Sequence, residues 1–180
     1  PSIISLREKI KSGPKDKIYD LDLSYITSRG KWYGISWKGE LTRSGGIATN
    51  IGIHFFDMLI WVFGRVKNNE VHILNDNCAG GYLELEQARI RWFLSINYDH
   101  IPKKIRESGK RTYRSLSMEG EEIEFSDGFT DLHTVSYNSI IEGVGYGLKD
   151  AGPSIQLAHG IRHAAVTGNS SRNHPLLLGL

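Results

Sequence analysis

At 180 residues, with 39% hydrophobic and 23% charged side chains, the chain has the balance of one soluble globular domain large enough for a real core. A net charge of +2 is too mild to imply nucleic acid, and a single cysteine, Cys78, excludes an intrachain disulfide. No secretory leader pattern opens the sequence, so a cytoplasmic setting is expected; Pro1 is not an initiator residue, and a start partway into a longer protein is expected with it.

Ser2 to Ile10 places Ile3, Ile4, Leu6 and Ile10 as in a short helix, ended by Ser12-Gly13-Pro14. Tyr19 to Thr27 sets Tyr19, Leu21, Leu23 and Tyr25 against Asp20, Asp22, Ser24 and Ile26, the alternation of a half-buried strand. Ser28 to Arg43 fits neither period. It carries Arg29, Lys31, Lys38 and Arg43 against one acid, Glu40, with Trp32, Tyr33 and Trp37 interleaved. Cations suit phosphate or carboxylate, and aromatic rings suit the face of a base or sugar. Two readings stay open: a solvated loop whose aromatics pack back onto the core, or a site for an anionic ligand with a flat ring. Nucleic acid is not expected, because the rest of the chain lacks a basic stripe.

Ser44 to Phe63, closed by Gly64, reads as a core-facing helix with Ile47, Ile51, Phe55, Met58, Leu59 and Val62 on one face. Asn50, His54, Asp57 and Trp61 form a second line along it. Polar groups on an apolar helix need partners or a cleft to face. A hydrogen-bonded structural histidine and a site at the helix start both fit. The polar line argues against a membrane span, although the apolar length approaches the ~20 residues a bilayer needs. Gly45 and Gly46 allow close approach of a backbone or ligand.

Strands are expected after Gly64. Glu70 to Leu74 alternates weakly; Gly81 to Gln87 and Arg89 to Tyr98 pair as a hairpin, as do Thr112 to Met118 and Glu121 to Phe125 around Glu119-Gly120. Ile101 to Arg111, charged and interrupted by proline, is a solvated loop or a contact with a neighbouring subunit or acidic ligand. Asp131 or Thr130 can cap a helix over 132–143, and Pro153 suits the start of a helix running to Val166. The glycines between them lack the spacing of a phosphate loop, and no metal-ligating cluster shows. This order predicts an α+β fold, a mostly antiparallel open sheet with helices on one face. The uncovered face is expected to bury against another subunit or domain.

Gly45-Gly-Ile-Ala-Thr-Asn-Ile-Gly-Ile-His-Phe-Phe-Asp57 resembles the glucose–fructose oxidoreductase/inositol dehydrogenase/MocA family, whose members carry Gly-Gly-x-x-x-Asp-x-Gly-x-His-x-x-Asp. The likeness runs from Pro1-Ser-Ile to Asp150-Ala-Gly-Pro-Ser-Ile-Gln-Leu-Ala-His159. It implies a C-terminal domain, related to that of glyceraldehyde-3-phosphate dehydrogenase, for substrate binding and oligomerisation, spanning 1–180. The N-terminal Rossmann domain that binds NAD, or NADP, would lie outside this chain. Tyr25-Ile-Thr-Ser-Arg-Gly-Lys-Trp-Tyr33, Ser36-Trp-Lys38 and Ser44 to His54 further resemble the subgroup of UDP-N-acetylglucosaminuronate 3-dehydrogenases of bacterial polysaccharide biosynthesis. Asn50 stands where many members have Asp, and an amide cannot act as a carboxylate base.

The resemblance implies oxidation of a sugar hydroxyl on a nucleotide-sugar. His54 would be the base, alone or with a lysine of the other domain, and Asn50 would orient substrate or His54. Arg29 and Lys38 would meet pyrophosphate or carboxylate, Thr49 sugar hydroxyls, and Tyr33 or Trp37 a ring. A homo-oligomer, dimer or tetramer, would form through the open sheet face. A free polyol or inositol as substrate, or a sugar-binding scaffold without chemistry, are the alternatives.

Overall fold

The computed structural model describes residues 2–30, 32–124, 132–168 and 170–179. Helix α1 (Ser2–Ser12) leads into β1 (Tyr19–Thr27), with the strand bounds that the alternation predicts. The segment without a period becomes single turns: α2 (Trp32–Ile35), a 3-10 turn (Trp37–Gly39) and α3 (Leu41–Ser44). Each is too short to repeat a pattern. Lys31, counted among the cations of that segment, lies outside the described residues.

A π-helical turn (Ala48–Gly52) then runs directly into α4 (Ile53–Phe63). Phe56, Leu59 and Phe63 of α4 are fully buried, each worth about 1.5–3 kcal/mol relative to exposure. The run Leu41–Phe63 is long and apolar enough by composition to cross a membrane, but here its apolar side is core, packed on the sheet. Gly64 closes the helix with its N–H donated to Ile60 O.

Strands β2 (Val66–Leu74), β3 (Cys78–Leu85), β4 (Ala88–Ser95), β5 (Thr112–Met118) and β6 (Glu121–Glu122) follow, with a short α5 (Lys103–Glu107) before β5. The sheet order is β2-β3-β4-β1-β5-β6. Every pairing is antiparallel except β1 with β4, which runs parallel from Tyr19↔Ala88 to Ile26↔Ser95. Gly81 sits where β2 crowds in: a Cβ there would lie 2.0 Å from Glu70 O. The last expected strand ends early at Glu122, and Phe125, Thr130 and Asp131 fall outside the described residues.

Helix α6 (Leu132–Ile141) is followed by α7 (Leu148–His163). The last helix starts five residues before the expected Pro153, because the Asp150 carboxylate accepts the Gly147 N–H at 2.7 Å and caps an earlier turn. Helices α1, α4 and α7 cover one face of the sheet over a core that includes Leu23, Ile90, Trp92 and Leu116. The other face is only half uncovered. Ile26, Cys78, Phe93, Ile101 and Leu177 form a second core there, with the C-terminal turn Pro175–Gly179 folded onto it. The remaining half carries charge. Asp22 and Arg91 are register partners on β1 and β4, and the guanidinium donates to both carboxylate oxygens at 2.6 Å.

Candidate active site

Among the described residues, one side chain ties the basic loop to the turn that leads into α4. Asn50, in the π turn, donates from Nδ2 to Lys38 O at 3.2 Å. Its carboxamide also shares a hydrogen bond with the Tyr33 phenol. Burial pushes the Tyr33 pKa up, against the nearby Arg29 charge and the Asn50 hydrogen bond. Ser36 stiffens the turn between them: its hydroxyl donates to Tyr33 O at 2.9 Å and accepts from Lys38 N at 3.3 Å. Tyr33, Lys38, Arg29 and Asn50 are therefore held as one cluster at the foot of α4.

Gly45 and Gly46 make the corner between α3 and the π turn, at φ +76° and +75°. Only glycine takes two such left-handed steps without cost. A Cβ on Gly45 would also fall 2.6 Å from Thr49 Oγ1, the hydroxyl that donates to Gly45 O at 3.0 Å. Thr49 thus braces the glycine corner.

Between this corner, the basic loop and the β2–β3 turn lies a cleft of about 210 Å³. Tyr33, Lys38, Gly45 and Gly46 line one part of it; Asp76 of the β2–β3 turn and Arg162 of α7 complete it. Neither Asp76 nor Arg162 carried a signal in the sequence. Asp76 lies in a turn-rich Asn-Asp-Asn run, and Arg162 is one cation on a helix more than 100 residues from the motif by the numbering.

His54 stands in the first turn of α4 with its side chain exposed, one turn beyond Asn50. Among the described residues its ring makes no hydrogen bond or ion pair, and none links it to Asn50. Trp37 is 54% exposed, with the Lys38 ammonium 5.9 Å from its ring. Trp37, Arg29, Thr49, Asn50 and His54 do not line the cleft; of the residues expected at the site, Tyr33 and Lys38 do. The π turn is the feature the periodicity missed. It inserts a residue into the helix where Gly52 presses on the sheet, a Cβ there falling 2.7 Å from Leu94 Cδ1. Such turns concentrate at functional sites.

A larger concavity of about 710 Å³ opens on the charged half of the sheet, far along the fold from the glycine corner. Two of its cations are already paired, Arg91 with Asp22 and Arg172 with Glu70, both at 2.6 Å. It lacks the glycine corner and the basic loop that line the smaller cleft, so the smaller cleft is the better candidate for chemistry. Among the described residues no group of three or more His, Cys, Asp and Glu side chains comes together to hold a metal.

The model for the C-terminal alpha/beta domain of an oxidoreductase family, Gfo/Idh/MocA, matches residues 7–104. The solved WlbA (WbpB) dehydrogenase from Thermus thermophilus, in complex with NAD and alpha-ketoglutarate, is 49% identical to this chain, with a TM-score of 0.91. The match covers 97% of this chain and 56% of that one, so the chain spans little more than half of that relative's length. The same dehydrogenase in complex with NAD and UDP-GlcNAcA gives 48% identity and a TM-score of 0.89 over the same shares. WlbA from Bordetella pertussis shares the fold at 15% identity, with a TM-score of 0.68 over 94% of this chain and 59% of that one. With more than half of its residues matched, the chain belongs to the Gfo/Idh/MocA oxidoreductase family and carries its C-terminal α/β domain.

Proposed function

We propose that this chain is the substrate domain of a longer NAD-dependent dehydrogenase. That enzyme oxidises the C3 hydroxyl of a UDP-linked N-acetylated sugar uronate in the cytoplasm, for lipopolysaccharide or O-antigen biosynthesis. The observation that carries this reading is the Asn50 bridge, which ties a basic, aromatic loop to the turn leading into the His54 helix, in a chain 49% identical to a dehydrogenase solved with NAD and, in a second structure, UDP-GlcNAcA. The described residues make no strand–helix–strand crossover with a glycine-rich phosphate turn, so they do not fit a dinucleotide site of their own. NAD binding is assigned to a Rossmann domain outside the chain, and this domain alone is expected to be inactive. The bound cofactor would supply hydride acceptance.

The chain's own part is to bind the sugar and move a proton. The exposed His54 imidazole, with a free ring nitrogen, takes the hydroxyl proton as the alcohol becomes a ketone. Lys38 and Arg29 neutralise the diphosphate or carboxylate; Thr49 and Asn50 position sugar hydroxyls; Tyr33 and Trp37 offer ring faces. The charged half of the open sheet face joins a second copy.

Full-length enzyme supplied with NAD and UDP-GlcNAcA should produce NADH, and His54→Asn should lower kcat by about 10²–10⁴ with a small change in KM. Equal turnover of the Asn variant, with the same pH profile, removes His54 as base. Oxidation of free inositol or another polyol in place of the UDP-sugar overturns the substrate assignment.

A further inference from the structure

We infer that Arg162 is the cleft's second anion contact, gripping from α7 the negatively charged oxygens of the nucleotide-sugar that Lys38 meets from the basic loop; this rests on the function proposed above. Arg162 lies in the last turn of α7 and is half-buried, whereas Lys38 sits on an exposed turn. Both line the 210 Å³ cleft, and among the described residues neither has an ion-pair partner. Asp76 lines the same cleft yet pairs with neither cation, which leaves one net positive charge facing the space.

The fold holds these groups apart. The Asn75 carboxamide oxygen accepts from Asn77 N and Cys78 N, both at 2.9 Å, so the turn that carries Asp76 is fixed by its own hydrogen bonds. Arg162 is carried by a 16-residue helix whose Leu157, Ala158 and Ile161 are buried. Two cations on independent, braced elements around a small cavity form a preorganised anion clamp, and a planar guanidinium matches phosphate or carboxylate with paired N–H donors.

The volume limits what is enclosed. At ~30 Å³ per water the cleft equals about seven waters, below the ~300–1,000 Å³ of a site that swallows a whole ligand. One ring or one charged group enters, and Arg162 meets it there. A cation in the last turn also complements the helix dipole. That role alone would change stability and leave affinity untouched.

The test uses the full-length enzyme with NAD, and calorimetric titration of UDP-GlcNAcA, UDP-GlcNAc and UDP into wild type, Arg162→Met and Arg162→Lys. Arg162→Met should weaken binding about 10- to 100-fold, and Arg162→Lys should recover part of it, with thermal midpoints near wild type. Loss confined to UDP-GlcNAcA places the contact on the sugar carboxylate; equal loss for all three places it on the diphosphate. Unchanged affinities in Arg162→Met overturn this inference while the proposed function stands on wild-type turnover. Wild-type enzyme that binds none of the three overturns both. Should Arg162→Met fail to fold, Arg162→Gln makes the same comparison with a polar but uncharged end, and wild-type affinities there overturn the inference equally.

Discussion

His54 and His174 place the same imidazole in opposite surroundings. His54 is exposed in the first turn of α4, while His174 is 2% exposed, its ring stacked on Phe93 with centroids 5.9 Å apart. The His174 Nδ1 accepts from Leu176 N at 3.1 Å, so Nε2 carries the proton and faces Ser24 Oγ at 3.1 Å. Burial disfavours the cation and drops its pKa from 6.5 to about 4; Asp22 pulls it up and Arg91 pushes it down by smaller amounts. Below pH 6.5 the unfolded chain takes up a proton that the folded chain refuses, so stability falls with pH until about 4 and then levels. The fall amounts to about 3 kcal/mol at ~1.4 kcal/mol per unit. Urea midpoints of wild type should decline through that window, and His174→Gln should flatten the decline. A parallel slope in the variant would show that other groups set the acid limb. Only His54 was visible in the sequence, through its place on a helical line. His174 and its partner Ser24 are 150 residues apart, a pairing that no local pattern encodes.

At the scale of elements, long periodic segments were legible and single turns were not. The alternation of β1 and the 3.6-residue rhythm of α4 each extend over two or more repeats, enough for burial to imprint a pattern. The 28–43 segment folds as one-turn pieces, and its aromatics divide between a buried Tyr33 and exposed Trp32 and Trp37. The cation-and-ring composition was readable; which ring faces inward depended on Asn50, a contact from another element. The glycine corner is the joint between the two. Gly45→Ala forces an L-residue to φ +76° and a Cβ against Thr49, costing about 1–3 kcal/mol. The thermal midpoint should drop accordingly. Because the corner also lines the cleft, affinity for UDP-GlcNAcA should fall more than in a surface variant of equal stability loss. A variant with wild-type affinity and melting would mean that the corner relaxes freely.

Across the whole molecule, the sheet face expected to stand open divides into an apolar half sealed by the chain's own C-terminal turn and a charged half that remains. The seal was illegible because Leu177 packs with Ile26 and Cys78, residues far from it along the chain that no local pattern connects. On the charged half, strand register sets Glu84 beside Arg89 and Arg89 beside Asp20, so acid, base and acid lie in one row across three strands. Arg91 in the next row is already spent on Asp22. Arg89 is exposed and has no ion pair among the described residues, which frees it to reach an acid on another molecule. A two-fold axis through this patch would lay each Arg89 over the partner's acidic positions, the self-complementary arrangement a dimer needs. Reversing it with Arg89→Glu puts like charge against like and should raise the dissociation constant of full-length enzyme about 10- to 100-fold. Light scattering after size exclusion over a dilution series reads this, and the wild-type assembly itself should loosen as salt is raised. Arg91→Glu separates the two roles of charge on this face, since it breaks an intrachain pair and should lower the melting temperature first. If wild type runs as a monomer, or if Arg89→Glu keeps the wild-type mass at every dilution and salt concentration, this face does not join copies, and the charged half of the sheet is left solvated.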